Sequence, residues 1–356
     1  MADRRASAFA PGRVNVIGEH TDYNQGLALP FAILQGVTVH AAEHPPGPDG
    51  RPGIEALAAD LGETDRFALE NPSPATGWRA FVRGAVAELG DAGVPLLGAR
   101  LEISGDVPRG AGLSSSAAFS VSLCLALAEL ASHGHHPDEE LPLERIELAR
   151  ICSRVEHRWA GAQTGLLDQL ASLYGALDTA LLIDFMTLEI EPVALQLDGW
   201  HFAVADSGER HAHAASGYNE RREQCARACE LLGLSSLREA TPDQLAGLPE
   251  PERRRATHVA SENERVLQAV AALRAAEPAL LGELMNASHQ SLRDLFEVST
   301  PAVEATVKRL LEAGAAGARL VGGGFGGSVL ALLAPDVPTP PGAFEVSPGP
   351  GAHLIL

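Results

Sequence analysis

The sequence predicts an α+β fold with two domains of similar size, residues 1–195 and 196–356. Strand-like and helix-like patterns are mixed along the chain without regular βαβ repetition. A length of 356 residues suits about two domains. Near the C-terminus, "GARLVGGGFGGSVLALLA" has the pattern of two apolar strands around a glycine turn, which favours antiparallel pairing.

Composition restricts the class of protein. The chain is 46% hydrophobic and 21% charged, as expected for a globular protein. Its net charge of −19 argues against nucleic acid as the main partner, because binding a phosphate backbone requires a basic surface. A small phosphorylated ligand remains compatible, since backbone N–H groups can build its site locally. The chain has a single lysine, Lys308, and no G-x-x-x-x-G-K-[ST] motif.

Targeting signals are missing from the sequence pattern. No apolar run approaches the length of a membrane span, and the N-terminal residues lack the apolar core of a secretory signal. We therefore expect a cytoplasmic protein with no membrane partner. The four cysteines show no zinc-ligand spacing, so we expect free thiols.

The elements follow in chain order. Residues 99–104 are predicted to form a strand, and residues 116–131 a helix that is buried nearly all round. A second helix covers about residues 142–159 and ends at "GAQTG". The later patterns predict strands at "ALLIDF", "WHFAVADSG" and "AHLIL", helices at about 216–232, 258–276 and 301–313, and a loop over 241–253.

The segment "GDVPRGAGLSSSAAF" joins the first strand to the buried helix. The first N–H groups of a helix have no intrahelical partners and attract anions. Gly110 and Gly112 allow a phosphate to approach the backbone, and serines 114–116 offer hydroxyls. A plain N-capped helix is the alternative, but a cap needs only one serine. We therefore expect phosphate binding in this loop.

Three further stretches are less specific when taken singly. "GGGFGGS" has more glycines than a tight turn needs, so its backbone is expected to lie against a ligand or another loop. In "VEHRWAGAQTGLLDQL", Glu156 could be a solvated residue and Asp168 an ordinary carboxylate at a helix start. "GRVNVIGEHTDY" could be a charged surface turn, but its mixed donors and acceptors also suit recognition of a polyol.

Taken together, these stretches resemble the GHMP small-molecule kinases, and in particular the branch that phosphorylates galactose. The order matches, with "GRVNVIGEHTDY" near the N-terminus, then "GAGLSSSAA", "GLLDQ" and "GGGFGGS". The likeness extends over nearly the whole chain. The serine-glycine loop is shared by the superfamily, whereas "GRVNVIGEHTDY" is the specific part. The resemblance implies a two-lobed architecture with the active site between the lobes.

The resemblance also implies a role for each matching residue. ATP would be bound by Gly110, Ala111, Gly112, Leu113, Ser114, Ser115 and Ser116, with Trp78 near the adenine. Mg²⁺ would be held by Ser116 and Glu156. Asp168 would face the attacking hydroxyl, and Arg13 would lie beside both Asp168 and the phosphoryl group. The sugar would be bound by Glu19, His20, Asp22, Gly165 and Tyr218.

The implied activity is ATP-dependent phosphorylation of galactose at its anomeric hydroxyl, giving galactose 1-phosphate and ADP, by a monomer. Phosphoryl transfer requires mainly positioning and charge stabilisation, which Arg13 can supply. Two alternatives stay open: a related kinase for N-acetylgalactosamine, arabinose or galacturonate, and a non-catalytic sensor of sugar and ATP. Departures from the residues common in this branch occur at Leu167, Leu295 and Ser328. Asn15 and Tyr23 receive no chemical role.

Overall fold

The structure, a computed structural model, describes residues 4–47, 50–108, 112–132, 143–161, 165–210 and 214–355. Within these ranges helices are mixed with three separate sheets, which confirms the predicted α+β class. The strands are β1 (Arg5–Asn15), β2 (Leu27–Ala28), β3 (Pro30–Glu43), β4 (Gly53–Ala58), β5 (Glu63–Ala68), β6 (Ala99–Gly105), β7 (Thr179–Asp184), β8 (Glu189–Ala194), β9 (His201–Arg210), β10 (Gly317–Val321), β11 (Gly326–Leu333), β12 (Ala343–Val346) and β13 (His353–Leu354).

The α-helices lie between and around these sheets. They are α1 (Trp78–Asp91), α2 (Ser115–Ala131), α3 (Arg145–Arg154), α4 (Leu167–Tyr174), α5 (Ala214–Leu232), α6 (Pro242–Ala246), α7 (Glu252–Arg274), α8 (Pro278–Ser291) and α9 (Pro301–Glu312). A one-turn 3-10 helix covers Asp22–Asn24 and another covers Leu237–Glu239.

The sheets are antiparallel or mixed, as predicted. The largest has the strand order β13-β1-β3-β6-β4-β5. Strands β4 and β6 are parallel, and every other neighbouring pair in this sheet is antiparallel. The second sheet has the order β10-β11-β9-β12, and the third the order β2-β7-β8. The predicted glycine hairpin is therefore present as β10 and β11.

The two ends of the chain meet in the first sheet. Strand β13 pairs with β1 in the register Ala8 to Leu354, so the predicted C-terminal strand is present. The last residues of the chain thus lie with elements of the first half, and the division into residues 1–195 and 196–356 stays a prediction.

Helix α2 forms the centre of the first core and carries the phosphate loop at its N-terminus. It packs on β1 and β3, and nearly all of its side chains are buried. Ala and Ser positions allow close approach on every side, while residues such as Val121, Leu125 and Leu127 supply apolar surface. Each fully buried aliphatic side chain contributes roughly 1.5–3 kcal/mol. Packing on both strands fixes the start of this helix at Ser115.

Two helices end in π-helical turns. One covers Val155–Ala160 directly after α3, and the other covers Leu292–Phe296 directly after α8. The predicted helix over 142–159 is therefore right in position, but its last turn is π-helical and residue 142 lies outside the described ranges. Each turn ends at a residue with positive φ, Gly161 at 78° and Glu297 at 55°.

No helix or strand was predicted before residue 99, where β1–β5 and α1 lie, and three helices between residues 241 and 291 differ from the sequence predictions. The loop expected over 241–253 contains α6, which Thr241 and Gln244 close with a reciprocal capping box. Helix α7 begins at Glu252 rather than at 258, and α8 was not predicted. Both α6 and α8 start with a proline in the first turn, where proline is tolerated because its missing N–H is not needed.

In the parts of the chain that the structure describes, no helix is long and apolar enough to cross a membrane. The four cysteines are free thiols, as expected, and three of them are buried.

Candidate active site

A bulge in strand β1 brings Arg13 against the predicted phosphate loop. The β1–β3 register shifts between Pro11 and Arg13. A Cβ at Gly12 would lie 2.5 Å from the Leu113 carbonyl oxygen, so only glycine permits this approach. The Arg13 backbone N–H donates to that oxygen at 3.0 Å, and its Nη1 donates to the Gly112 carbonyl at 2.8 Å.

Asp168, in the first turn of α4, receives donors on both carboxylate oxygens. Arg13 Nε donates to Oδ1 at 2.7 Å, and Arg13 Nη2 lies 2.6 Å from the same atom. Ser114 Oγ donates to Oδ2 at 2.5 Å. The Arg13 and Asp168 side chains are 7% and 18% exposed, so water screens this ion pair little. The structure thus brings together the two residues expected to act on the phosphoryl group and the hydroxyl.

Ser114 has a role that the sequence reasoning did not foresee. It stands at the N-cap of α2, but its φ of 58° and ψ of 45° are left-handed and its side chain caps no backbone N–H. Left-handed backbone is unfavourable for a residue with a Cβ. The hydroxyl is instead turned to Asp168, so the predicted phosphate loop and the predicted catalytic carboxylate are physically joined.

A cavity of about 140 Å³ lies directly beside this pair. It draws residues from segments far apart in the chain. All five residues expected to bind the sugar are among those that line it: Arg13, Glu19, His20, Asp22, Gly165, Leu167, Asp168, Tyr218, Gly322 and Gly323.

Glu19 is buried at this cavity and is held by the glycine-rich turn between β10 and β11. The Gly322 N–H donates to its Oε1 at 2.9 Å. The fully buried guanidinium of Arg319 lies 3.6 Å from the same oxygen. Burial raises the pKa of Glu19, while Arg319 and Arg13 act in the opposite direction.

His20 contributes a neutral imidazole to the cavity. Burial lowers its pKa to about 3, so it carries no charge at neutral pH. Its Nδ1 is 2.9 Å from the Tyr23 hydroxyl, and its ring packs on Phe296 at 4.6 Å between centroids. Its Nε2 is buried without a hydrogen-bond partner among the described residues, which leaves it available to a ligand hydroxyl.

Asp22 lies against the backbone of Gly165. A Cβ at Gly165 would stand 1.9 Å from Asp22 Oδ2, so this position excludes any side chain. Burial raises the pKa of Asp22 to about 7, and the nearby carboxylates of Asp168 and Glu19 add to the shift. Asp22 therefore titrates near neutrality when no ligand is present.

A second cavity, of about 390 Å³, opens at the N-terminus of α2. Ser115 and Ser116 line it together with Trp78, Phe81 and Phe119. Trp78 is half-buried, and its Nε1 donates to Glu63 at 2.9 Å. The expected adenine contact and the expected phosphate serines thus lie on one cavity, which suits a nucleotide with an aromatic base and a phosphate tail.

Glu156 lies on the π-helical turn after α3 and is 2% exposed. The Gln169 Nε2 donates to its Oε1 at 2.9 Å, while Gln169 Oε1 is buried without a hydrogen-bond partner in the described part of the chain. Mg²⁺ prefers oxygen ligands, and the Ser116 hydroxyl, the Glu156 carboxylate and the Gln169 amide oxygen are groups of this kind. Among the described residues no group of three or more His, Cys, Asp and Glu side chains could hold a metal ion.

Helix α7 supplies three supports for the sugar side that the sequence reasoning missed. His258 Nε2 is 3.2 Å from the Glu19 carbonyl oxygen. Glu262 accepts the Gly18 N–H at 3.0 Å, and Asn263 accepts the Leu27 N–H at 2.7 Å. All three lie within two turns of the same helix, but their partners are more than 200 positions away in sequence, so no local pattern could reveal them.

The structure describes some of the remaining residues from the sequence analysis and not others. Gly110 and Ala111 lie outside the described ranges. The "GGGFGGS" turn lies against the site, since a Cβ at Gly323 would be 2.9 Å from the Tyr218 ring. Tyr23, left without a role, contacts His20, whereas Ser328 is buried in β11. Nothing in the structure gives Ser328 a chemical role.

Comparison with known proteins agrees with this geometry. The family "GHMP kinases N terminal domain" matches residues 80–176, "GHMP kinases C terminal" matches residues 269–338, and "Galactokinase galactose-binding signature" matches residues 2–43. The chain is 42% identical to a galactokinase of Mycobacterium tuberculosis, over 92% of this chain and 88% of the relative. It is 38% identical to a galactokinase of Thermotoga petrophila, over 91% of this chain and 88% of the relative.

A solved structure is similar over the same extent. The galactokinase of Lactococcus lactis, crystallised with galactose, superposes with a TM-score of 0.88 at 30% identity, covering 98% of this chain and 95% of that one. The fold and the paired cavities therefore define a kinase of the GHMP superfamily. Within that superfamily the chain belongs to the galactokinases.

Proposed function

We propose that this enzyme transfers the γ-phosphoryl group of ATP to the anomeric hydroxyl of galactose, giving galactose 1-phosphate and ADP. One observation carries the proposal: the Arg13–Asp168 pair stands between the cavity lined by the sugar-binding candidates and the loop that leads to the nucleotide cavity. The galactokinase relatives and the galactose bound to the Lactococcus lactis enzyme support the substrate.

The reaction follows from the positions of these groups. The C1 oxygen of galactose forms a bond to the γ-phosphorus, and the bond from that phosphorus to the bridging oxygen of ADP breaks. Asp168 orients the hydroxyl and can accept its proton, because Oδ2 keeps a second lone pair beside its single donor, Ser114. Arg13 stabilises the negative charge that spreads over the phosphoryl oxygens.

The sugar hydroxyls meet acceptors of different character. Glu19 and Asp22 offer carboxylate oxygens, and neutral His20 offers a ring nitrogen. Tyr218 and the Gly165 backbone complete the wall. Such a mixed set of donors and acceptors suits a neutral polyol and gives no unpaired cation for a sugar carboxylate, which disfavours galacturonate.

We propose that Ser116 and Glu156 hold Mg²⁺, with ATP phosphates as further ligands. Ser116 lines the nucleotide cavity, whereas Glu156 is buried and is not among the residues that line it. The ion would neutralise phosphate charge during transfer. Gln169, through its bond to Glu156, fixes the orientation of that carboxylate. We further propose that the enzyme is cytoplasmic and acts as a monomer. Size-exclusion chromatography with light scattering tests the oligomeric state.

A coupled ADP-release assay over a panel of sugars tests the function. We expect turnover with ATP, Mg²⁺ and galactose, and little or none with N-acetylgalactosamine, arabinose or galacturonate. Product analysis by ³¹P NMR should show a phosphate at C1. Turnover of another panel sugar without turnover of galactose would contradict the substrate. Binding of galactose and ATP without any ADP release would favour the sensor.

A further inference from the structure

Arg319 is an unusual residue for its position. It lies in the centre of β10 and is 0% exposed, between the buried apolar residues Ala318 and Leu320. Burying a guanidinium costs several kcal/mol unless a carboxylate and hydrogen bonds compensate it. An aliphatic side chain would fill such a strand position at lower cost, so the charge itself requires an explanation.

The contacts of Arg319 point to Glu19. Nη2 lies 3.6 Å from Glu19 Oε1, and this is the one ion pair of Arg319 among the described residues. Nη1 donates to the Asn15 carbonyl oxygen at 2.8 Å, which anchors the guanidinium beside the sugar-binding segment. Nε and Nη2 make no hydrogen bond to other described residues. Glu19 is therefore the carboxylate in direct contact with Arg319, while Glu262, which Arg319 also influences, has its own ion pair with Arg265 at 2.7 Å.

We propose that Arg319 is a positioning residue for sugar recognition, which holds Glu19 ionised and in place while touching no sugar atom itself. The inference deepens the proposed function, because it concerns the same sugar cavity. Arg319 and Gly322 both approach Oε1 from the turn-bearing strand pair. Glu19 thus presents its carboxylate to the cavity from a fixed position.

Of the charged groups that the structure describes around Glu19, Arg319 is the one available to keep its carboxylate ionised. Arg13 also faces Glu19, but its guanidinium is engaged with Asp168 and the Gly112 carbonyl. Asp22 and Tyr218 face it from the other sides of the cavity and bring negative or neutral groups. His258 contacts only the Glu19 backbone carbonyl. Burial already raises the pKa of Glu19, so loss of Arg319 would favour the neutral acid.

A double-mutant cycle tests the pair in two independent measurements. The variants are Arg319→Met, Glu19→Gln and the double variant. In the first measurement, thermal unfolding without any ligand, Arg319→Met should lower Tm by several degrees. The same change in the Glu19→Gln background should lower it much less, because no buried carboxylate is left uncompensated.

The second measurement is galactose affinity by calorimetry. Arg319→Met should weaken it about 30-fold, toward the lower end of the cost of removing one partner of a buried charge pair. In the Glu19→Gln background the same change should cost less than about threefold. The ratio of the Kd values of Arg319→Met and the unaltered enzyme should fall as pH rises, because Glu19 regains its charge. The KM for ATP should stay within about twofold.

Arg83→Met serves as the matched control. Arg83 is also a shielded arginine in an ion pair, with Asp65, but it lies away from the sugar cavity. Its loss should lower Tm additively with Glu19→Gln and leave galactose affinity unchanged. If Arg319→Met does not fold, Arg319→Lys and the double variant are measured in its place. The double variant should be more stable than Arg319→Met alone, because it leaves no uncompensated carboxylate at position 19.

The outcomes separate the two proposals. Equal effects of Arg319→Met in both backgrounds would show that Arg319 only ties β10 to Asn15, which would overturn the inference. If the unaltered enzyme fails to bind or turn over galactose, the proposed function fails. The ligand-free stability cycle would still decide whether Arg319 and Glu19 are coupled.

Discussion

At the scale of single residues, the hydrogen-bond donors around Asp168 determine the orientation of its carboxylate. Arg13 occupies Oδ1 and Ser114 occupies Oδ2, so the carboxylate is fixed before any ligand arrives. A fixed carboxylate favours orientation of the sugar hydroxyl, since a preorganised group needs no rearrangement during the reaction.

Replacing Asp168 tests this role directly. Asp168→Asn keeps the shape but removes the charge that orients and accepts the hydroxyl proton. We expect kcat to fall at least about 100-fold. Galactose affinity, measured by calorimetry, should change only a few-fold because the sugar-lining residues remain. A variant with near-normal turnover would refute the assignment.

Ser114 should affect turnover more than binding. Ser114→Ala removes the donor at Asp168 Oδ2, and we expect kcat to fall about 10-fold with little change in the KM for galactose. Ser120→Ala is the control, because that hydroxyl lies on the same helix and donates to the Ala117 carbonyl. Equal kinetics for the two variants would show that the Ser114–Asp168 bond is not used.

Asp22 predicts a pH dependence. Its pKa is raised to about 7 in the folded, ligand-free protein. The free energy of unfolding should therefore fall as pH rises from about 4 to about 7, because the unfolded chain loses this proton more readily. Sugar hydroxyls donate to the ionised form. Galactose affinity should therefore increase from pH 6 to pH 8, with proton release measurable by calorimetry in buffers of different ionisation enthalpy. In Asp22→Asn this change should disappear.

At the scale of elements, backbone irregularities place the site. The bulge at Gly12 in β1, the π-helical turn that carries Glu156 and the left-handed Ser114 each depart from regular geometry. Such departures are common at functional sites, because they aim side chains that a regular element would point elsewhere. In α7, ordinary helical periodicity aims His258 and Glu262 at the sugar-binding segment.

The entrance to α4 gives a prediction at this scale. Gly165→Ala would place a methyl group 1.9 Å from Asp22 Oδ2, so either the segment or Asp22 must move. We expect the KM for galactose to rise at least about 10-fold with little change for ATP. Gly90→Ala is the control, since a Cβ there meets nothing within 4 Å. Unchanged galactose kinetics in Gly165→Ala would show that this close contact is dispensable.

At the scale of the whole molecule, the site is assembled from distant parts of the chain. The sugar cavity combines residues 13–22 with Gly165, Asp168, Tyr218 and the turn at 322–323. A ligand that contacts all of these segments joins both halves of the sequence. Its binding is therefore coupled to the stability of the entire fold.

Galactose should stabilise the whole chain. At 100 times its Kd, binding to the folded state alone adds about 2.7 kcal/mol to the free energy of unfolding. We expect one cooperative thermal transition that moves upward by several degrees with galactose. Glucose at the same concentration is the control and should move it much less. A transition that splits, with only one part shifted, would show that the halves unfold separately.

Sequence reasoning located helices and strands where hydrophobic periodicity reports burial locally, namely α2, α3, α5, α7 and α9 and β6, β7, β9, β10, β11 and β13. It assigned no helix or strand before residue 99, where β1–β5 and α1 lie. It also missed α6 and α8, where prolines at helix starts resemble loop punctuation. It identified the residues that line the sugar cavity because the "GRVNVIGEHTDY" and "GLLDQ" segments are distinctive. It left "GGGFGGS" undecided between a ligand and another loop, and the structure places that turn against Tyr218 and Glu19.

The sequence alone determined the fold class and the family, because these depend on periodicity and contiguous motifs, and phosphate binding by residues 110–116 stays a prediction. Only the tertiary structure decided which partners these residues have. Arg13 and Ser114 converge on Asp168, and Arg319 on Glu19, across separations of 54 to 300 positions. The physical reason is that burial and ion pairing depend on distance in space, which the local order of residues does not specify.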